Sequence, residues 1–158
     1  MITYVTGDAT HPIDFFDGHR YIVHCCNDKG GWGSGFVLAL DKLSLLPRLF
    51  YQQWKDELIA ELPLGAVQYV NLEPDLTVVN LIGQHGTKQD RPHPVRYDAI
   101  YNGLSALANT VRILGGTIHM PRMGCGLAGG SWDVVEAIVK ETCEGIDVFV
   151  YDLPEEGS

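Results

Sequence analysis

The sequence predicts an α/β layer fold with a mixed sheet, and three observations carry that expectation. Short β-branched runs alternate with segments of helical periodicity along the chain. The turn Glu73-Pro74-Asp75 joins two of the strand runs directly, so one strand pair is antiparallel. Two further strands run straight into glycine-rich stretches that lead to helices. That arrangement sets both stretches at strand carboxyl ends, where α/β folds bind ligands.

Ile2–Thr6 is a short β-branched first strand. Residues 21–25 form a second, residues 66–71 a third and residues 76–82 a fourth, the last two joined by the hairpin turn. Further strands are expected at 117–120 and 147–151. Helices are expected at 35–42 and at 47–62, where Pro47 suits a first turn. The clearest helix is Tyr97–Leu114, whose Ile100, Leu104, Leu107, Val111 and Leu114 keep a three- to four-residue spacing. Gly115-Gly116 supplies its stop. The last helix is expected at 132–143, with Ser131 as N-cap.

A chain of 158 residues fits one domain, here residues 1–153, with 154–158 as a flexible tail. No apolar run approaches the ~20 residues of a membrane span, so no membrane partner is expected. The N-terminus shows neither the basic start nor the apolar stretch of a signal peptide, and the expected location is cytoplasmic. The four cysteines, Cys25, Cys26, Cys125 and Cys143, include no Cys-X-X-Cys pair, so neither a disulfide framework nor a metal is expected. Lys and Arg total only 11 against a net charge of −9, which argues against nucleic acid as a partner. A small anionic ligand remains compatible, because backbone N–H groups and helix N-termini bind phosphate without net positive charge.

The first glycine-rich stretch is His24-Cys25-Cys26-Asn27-Asp28-Lys29-Gly30-Gly31-Trp32-Gly33-Ser34-Gly35-Phe36. The second is Met120-Pro121-Arg122-Met123-Gly124-Cys125-Gly126-Leu127-Ala128-Gly129-Gly130. Two such loops on one sheet edge can wrap a diphosphate with main-chain N–H groups. Neither is a GxxxxGK[ST] loop or a GxGxxG fingerprint, so ATP hydrolysis and NAD redox chemistry lose support. Gly7-Asp8-Ala9-Thr10 follows the first strand, and its carboxylate either accepts from an exocyclic amine or caps the next turn. Arg122 is expected to bond loop carbonyls. Trp32 either closes over a ligand or packs on the helix that begins near Phe36.

Taken in order, Gly7-Asp8-Ala9-Thr10, Asn27 before Gly33-Ser34-Gly35, the Met120–Leu127 loop and Val148-Phe149-Val150-Tyr151 resemble a macrodomain over almost the full length. The His-Cys-X-Asn opening and the Met-Pro-Arg-X-Gly-Cys-Gly-Leu loop are similar to the branch of terminal ADP-ribose glycohydrolase and ADP-ribose-1''-phosphate phosphatase. The segment 32–40, with Gly83-Gln84-His85-Gly86, also resembles bacterial stand-alone macrodomains. The resemblance implies a three-layer α/β/α sandwich, an ADP-ribose site and no cofactor. It implies that Asp8 holds the adenine amine, that the Ala9 N–H meets the ring, and that Tyr151 stacks on it. It places Asn27 at the distal ribose. Gly33, Ser34, Gly35 and Phe36 then line one side of the diphosphate, and Gly124, Cys125, Gly126 and Leu127 the other.

In that branch the glycohydrolase uses a lysine nucleophile and an aspartate. Gln84 and Ala128 stand at those places here, and neither can do that chemistry. Lys88, four residues beyond, reads as a solvated loop lysine. The remaining candidates for catalysis are His24, Asn27, Asp28, Gln84 and His85. The expected function is hydrolysis of mono-ADP-ribose from acidic protein side chains or related O-linked adducts, with mono-ADP-ribosylated proteins as partners. The alternatives are an ADP-ribose-1''-phosphate phosphatase, which the resemblance keeps open because the phosphatase of that branch carries a histidine at the position of His24, and a reader that binds ADP-ribose unchanged.

Overall fold

The structure is a computed structural model that describes residues 1–13, 18–33, 35–126 and 128–154. The expected tail at 155–158 and the ligand candidates Ser34 and Leu127 lie outside the described residues. The elements follow the order β1 (Ile2–Thr6), β2 (Arg20–Asn27), α1 (Phe36–Leu43), α2 (Leu46–Glu57), β3 (Val67–Glu73), β4 (Leu76–Gln84), α3 (Tyr97–Leu114), β5 (Thr117–Pro121), α4 (Trp132–Thr142) and β6 (Val148–Asp152). The six strands form one sheet in the order β1-β6-β5-β2-β4-β3. All neighbours are parallel except the β3–β4 hairpin.

Side-chain alternation along the strands sends successive residues to opposite faces. Tyr21, Val23, Val79 and Leu81 pack with α3 and α4 in the larger core, which also holds Ile100, Leu104, Val135 and Val139. Ile22 and Val78 pack on Leu40 of α1, while Cys26 and Ile82 pack on Tyr51 of α2. The sheet is therefore covered on both sides, as its parallel strands require, and the three-layer sandwich is present.

Two expectations need correction. The helix expected at 47–62 ends at Glu57. Residues 58–62 leave the helix so that Leu62 is buried beside Tyr51 and Ile82, and its N–H donates to the Asp28 carbonyl at 2.8 Å. Ser131 holds the cap position of α4 without a side-chain cap bond. Its N–H instead donates to the Tyr97 hydroxyl at 2.9 Å. Gly115 does end α3, at φ 81, a conformation disfavoured for any side chain.

Candidate functional site

A cavity of about 660 Å³ opens at the carboxyl ends of β2, β4 and β5, within the ~300–1,000 Å³ of small-ligand sites. The two glycine loops are its opposite walls. Gly31, Trp32, Gly33, Gly35 and Phe36 line one, and Pro121, Arg122, Met123, Gly124, Gly126 and Ala128 line the other. His24, Cys25, Asn27 and Gln84 line it from the strand ends, with Thr87, Lys88 and Gln89 at the loop beyond β4. No carboxylate lines it among the described residues. Among the described residues, the first turn of α1 has neither an acidic residue nor a side-chain cap, so the positive end of its dipole favours an anion.

The first wall is built by Asn27. Its Oδ1 accepts from the N–H groups of Lys29 at 2.9 Å and Gly31 at 3.0 Å, and its Nδ2 donates to the Gly31 carbonyl at 2.8 Å. Tyr51, a buried residue of α2, donates its hydroxyl proton to the Asn27 carbonyl at 2.5 Å and accepts from the Gly30 N–H at 3.2 Å. The amide of Asn27 thus shapes the loop. Trp32 donates Nε1–H to Asp41 of α1 at 3.0 Å and lies against Tyr51 and His24, so it packs on the helix and also lines the cavity.

The second wall closes on itself. The Gly130 N–H donates to the Gly124 carbonyl at 2.7 Å, and the Val95 N–H donates to the Ala128 carbonyl at 3.2 Å. A Cβ on Gly130 would sit 2.3 Å from the Gly124 oxygen, closer than backbone can yield. Gly130→Ala is expected to open this loop, lower stability by about 1–3 kcal/mol and weaken ligand binding at least tenfold, read by urea unfolding and calorimetry. Cys125 sits in the same loop, its Sγ toward the Met123 carbonyl at 3.4 Å.

His24 is buried and its Nε2 lies 2.5 Å from Asn80 Oδ1. That contact makes Nε2 the protonated nitrogen, since an amide oxygen only accepts. Burial lowers its pKa to about 4, against the smaller opposing effect of the Asn80 bond. His24 is therefore neutral at pH 7. The Cys25 thiol is pushed up to about 12 by burial and stays protonated. Gln84 donates Nε2–H to the Gly86 carbonyl at 3.0 Å and lines the cavity at the strand end.

Asp28 and His85 follow Asn27 and Gln84 by one residue and do not line this cavity. They pair with each other at 2.6 Å and line a second cavity beside it. Lys88 lines the cavity and is exposed. Asp8 lies after β1 and its Oδ1 accepts from the Thr10 N–H and hydroxyl, at 2.9 and 2.7 Å. Ala9 and Tyr151 are buried together with Phe149, and Phe36 packs on them, joining this group to the cavity wall. The Tyr151 hydroxyl accepts from the Ile13 N–H at 2.9 Å and bonds His119 at 2.8 Å. Arg122 does not bond loop carbonyls as expected. It grips the Asp152 carboxylate at 2.6 and 2.9 Å and lies over the rings of Tyr4 and Trp132.

Sequence reasoning passed over Tyr51, Asp41 and Asn80 as site-forming residues. Asn80 did carry a signal. It is a lone amide in the apolar run Val78-Val79-Asn80-Leu81-Ile82, and a buried amide needs partners. They are His24, Gln68 Oε1 and the Pro47 carbonyl.

No family model matches the chain. It is 48% identical to a Bacteroides thetaiotaomicron protein of unknown function, covering 97% of this chain and 98% of that one at a TM-score of 0.89. It is 44% identical to a macrodomain protein from Streptomyces coelicolor, covering 96% of this chain and 99% of that one at a TM-score of 0.83. The ADP-ribose glycohydrolase OARD1 of Bos taurus is 31% identical, with 93% of this chain and 87% of the relative covered. The chain also matches the chromodomain-helicase-DNA-binding protein 1-like of Mus musculus at 26% identity, over 97% of this chain, and spans 18% of that protein's length.

Proposed function

We propose a function for this chain from the premise that it belongs to the macrodomain family: it binds ADP-ribose and hydrolyses mono-ADP-ribose esters on acidic protein side chains. One observation carries the reading. Two glycine loops face each other across a cavity without carboxylates among the described residues, at the N-terminus of α1. That is a main-chain cradle for a diphosphate. The OARD1 relative, an ADP-ribose glycohydrolase, supports the hydrolytic half. Gln84 and Ala128 give no lysine–aspartate pair, and His24 is a neutral donor to Asn80. Hydrolysis then rests on a water placed by the Gln84 carbonyl and on the bound diphosphate. An ester at the distal ribose suits this, since a carboxylate leaves without a strong acid behind it.

The test pairs calorimetry with ADP-ribose and release of ADP-ribose from a glutamate-modified protein. Binding with release, reduced by Gln84→Ala without loss of affinity, is the expected result. Binding without release would establish the second reading, a reader, which the absence of a lining carboxylate base favours. Absence of binding would overturn both.

Asp8 gives a separate prediction. Its Oδ1 is held by Thr10, and Oδ2 is left to accept from the adenine amine. Asp8→Asn is expected to keep the turn and weaken ADP-ribose binding by about 1–3 kcal/mol. Calorimetric affinity equal to that of the parent would remove Asp8 from the site.

A further inference from the structure

Asp28, Glu61 and His85 come from three separate segments: the turn after β2, the stretch between α2 and β3, and the turn after β4. One donor atom from each lies within 4.8 Å of the others. His85 Nδ1 is 2.6 Å from Asp28 Oδ2 and 3.6 Å from Glu61 Oε2. Ligand atoms around a tetrahedral ion with bonds of about 2.0–2.2 Å are separated by roughly 3.3–3.5 Å. Asp28 and His85 would have to part by under an ångström, and Glu61 would have to close on His85 by a few tenths and on Asp28 from a separation of at most 4.8 Å. Glu61 is exposed and His85 partly so, and both can turn.

The rest of the arrangement is already fixed. Asp28 Oδ1 accepts from the Gly86 N–H at 2.8 Å, which turns Oδ2 toward the imidazole. The Asp28 backbone is held on both sides, its N–H by the Gln84 carbonyl at 3.0 Å and its carbonyl by the Leu62 N–H at 2.8 Å. These bonds tie the three ligand-bearing segments to one another.

The charges ask for a cation. Asp28 is 1% exposed, and His85 is its only ion-pair partner among the described residues. The same imidazole nitrogen faces a second carboxylate, so two negative charges converge on one proton. A buried carboxylate is costly without a matching cation. A divalent ion between the three side chains meets both carboxylates and the imidazole nitrogen. Arg96 lines the same cavity, but its Nη1 is engaged by the His93 and Val95 carbonyls. Two carboxylates stand against one guanidinium in the lining of this cavity. It opens to solvent, so an ion held by three side chains keeps a position for water.

We infer that Asp28, Glu61 and His85 form a binding site for a divalent transition-metal ion of the zinc class, outside the ADP-ribose cavity. The donor set, two carboxylate oxygens and one imidazole, suits zinc, cobalt or manganese better than magnesium or copper(I).

The test is calorimetry of Zn²⁺ into the full chain, with Co²⁺ absorption to identify the donors. One equivalent is expected to bind, at least tenfold more weakly in Glu61→Gln and at least a hundredfold more weakly in His85→Ala, with no cobalt–thiolate band. Glu61 is exposed, so Glu61→Gln tests the site even if His85→Ala fails to fold. Zn²⁺ binding that is absent, unaltered in Glu61→Gln, or accompanied by a thiolate band would overturn the assignment.

Discussion

Asn27→Ala is expected to lower the unfolding free energy by about 2–4 kcal/mol and to weaken ADP-ribose binding at least tenfold. The Asn27 side chain is buried and makes three bonds to the loop 29–31, two as acceptor and one as donor. Its loss leaves two N–H groups and a carbonyl without partners, each costing about 1 kcal/mol or more where water cannot reach. The wall formed by Gly31, Trp32, Gly33, Gly35 and Phe36 then loses its shape, and with it the main-chain N–H groups proposed to hold the diphosphate. Asn27→Asp keeps the two accepted bonds but sets a carboxylate oxygen against the Gly31 carbonyl and adds a negative charge to the wall, so it should weaken ADP-ribose binding as well. Urea unfolding and calorimetry read both variants. Parent-like stability with lost turnover would instead put the amide at the reacting centre, beside the distal ribose where the sequence-based expectation places Asn27.

The second large effect is acid destabilisation. His24 and His119 are fully buried, and burial lowers the pKa of each to about 4. In the unfolded chain both titrate near 6.5. The unfolded state therefore binds protons that the folded state refuses as pH falls. The stability from both groups is complete above about pH 6.5 and is lost progressively toward pH 4. Between pH 7 and pH 5 the loss is about 2 kcal/mol for each, about 4 kcal/mol together. The three carboxylates held below their usual range do not blur this window. Asp152 is held below its usual range chiefly by its Arg122 hydrogen bond, Glu136 by the Tyr4 hydroxyl and Asp90 by the Thr87 N–H, so they titrate at lower pH. Urea midpoints at pH 7 and pH 5 should show the fall, and His119→Gln should halve it. A midpoint independent of pH over that range would mean that the two rings keep their protons in the fold.

How much of this was legible in advance depends on range along the chain. The β3–β4 hairpin, the span of α3 and the glycine stop after it follow from local spacing and turn chemistry. Strand ends were short by a residue or two at β2, β4 and β5, where pairing with a neighbour extends the ladder past the apolar run. Residues 58–62 read as helix because Leu58, Ile59 and Leu62 continue a helical spacing. Burial of Leu62 against Tyr51 and Ile82 overrode that pattern. Arg122 could not be paired from sequence, since Asp152 lies thirty residues away on β6.

By itself the sequence determined the α/β layers, the mixed sheet, the two strand–glycine loop–helix units and their common end of the sheet. Each is set by periodicity, turn residues or the conformational demands of glycine, which act over a few positions. Tertiary structure alone decided what the polar side chains do. It buried His24 against Asn80, turned the Asn27 amide onto its own loop, and moved Asp28 and His85 out of the ligand cavity into a cluster with Glu61. Those outcomes depend on which distant groups meet in a low-dielectric interior. A buried polar atom must take whatever partner the packing of separate elements brings within about 3 Å.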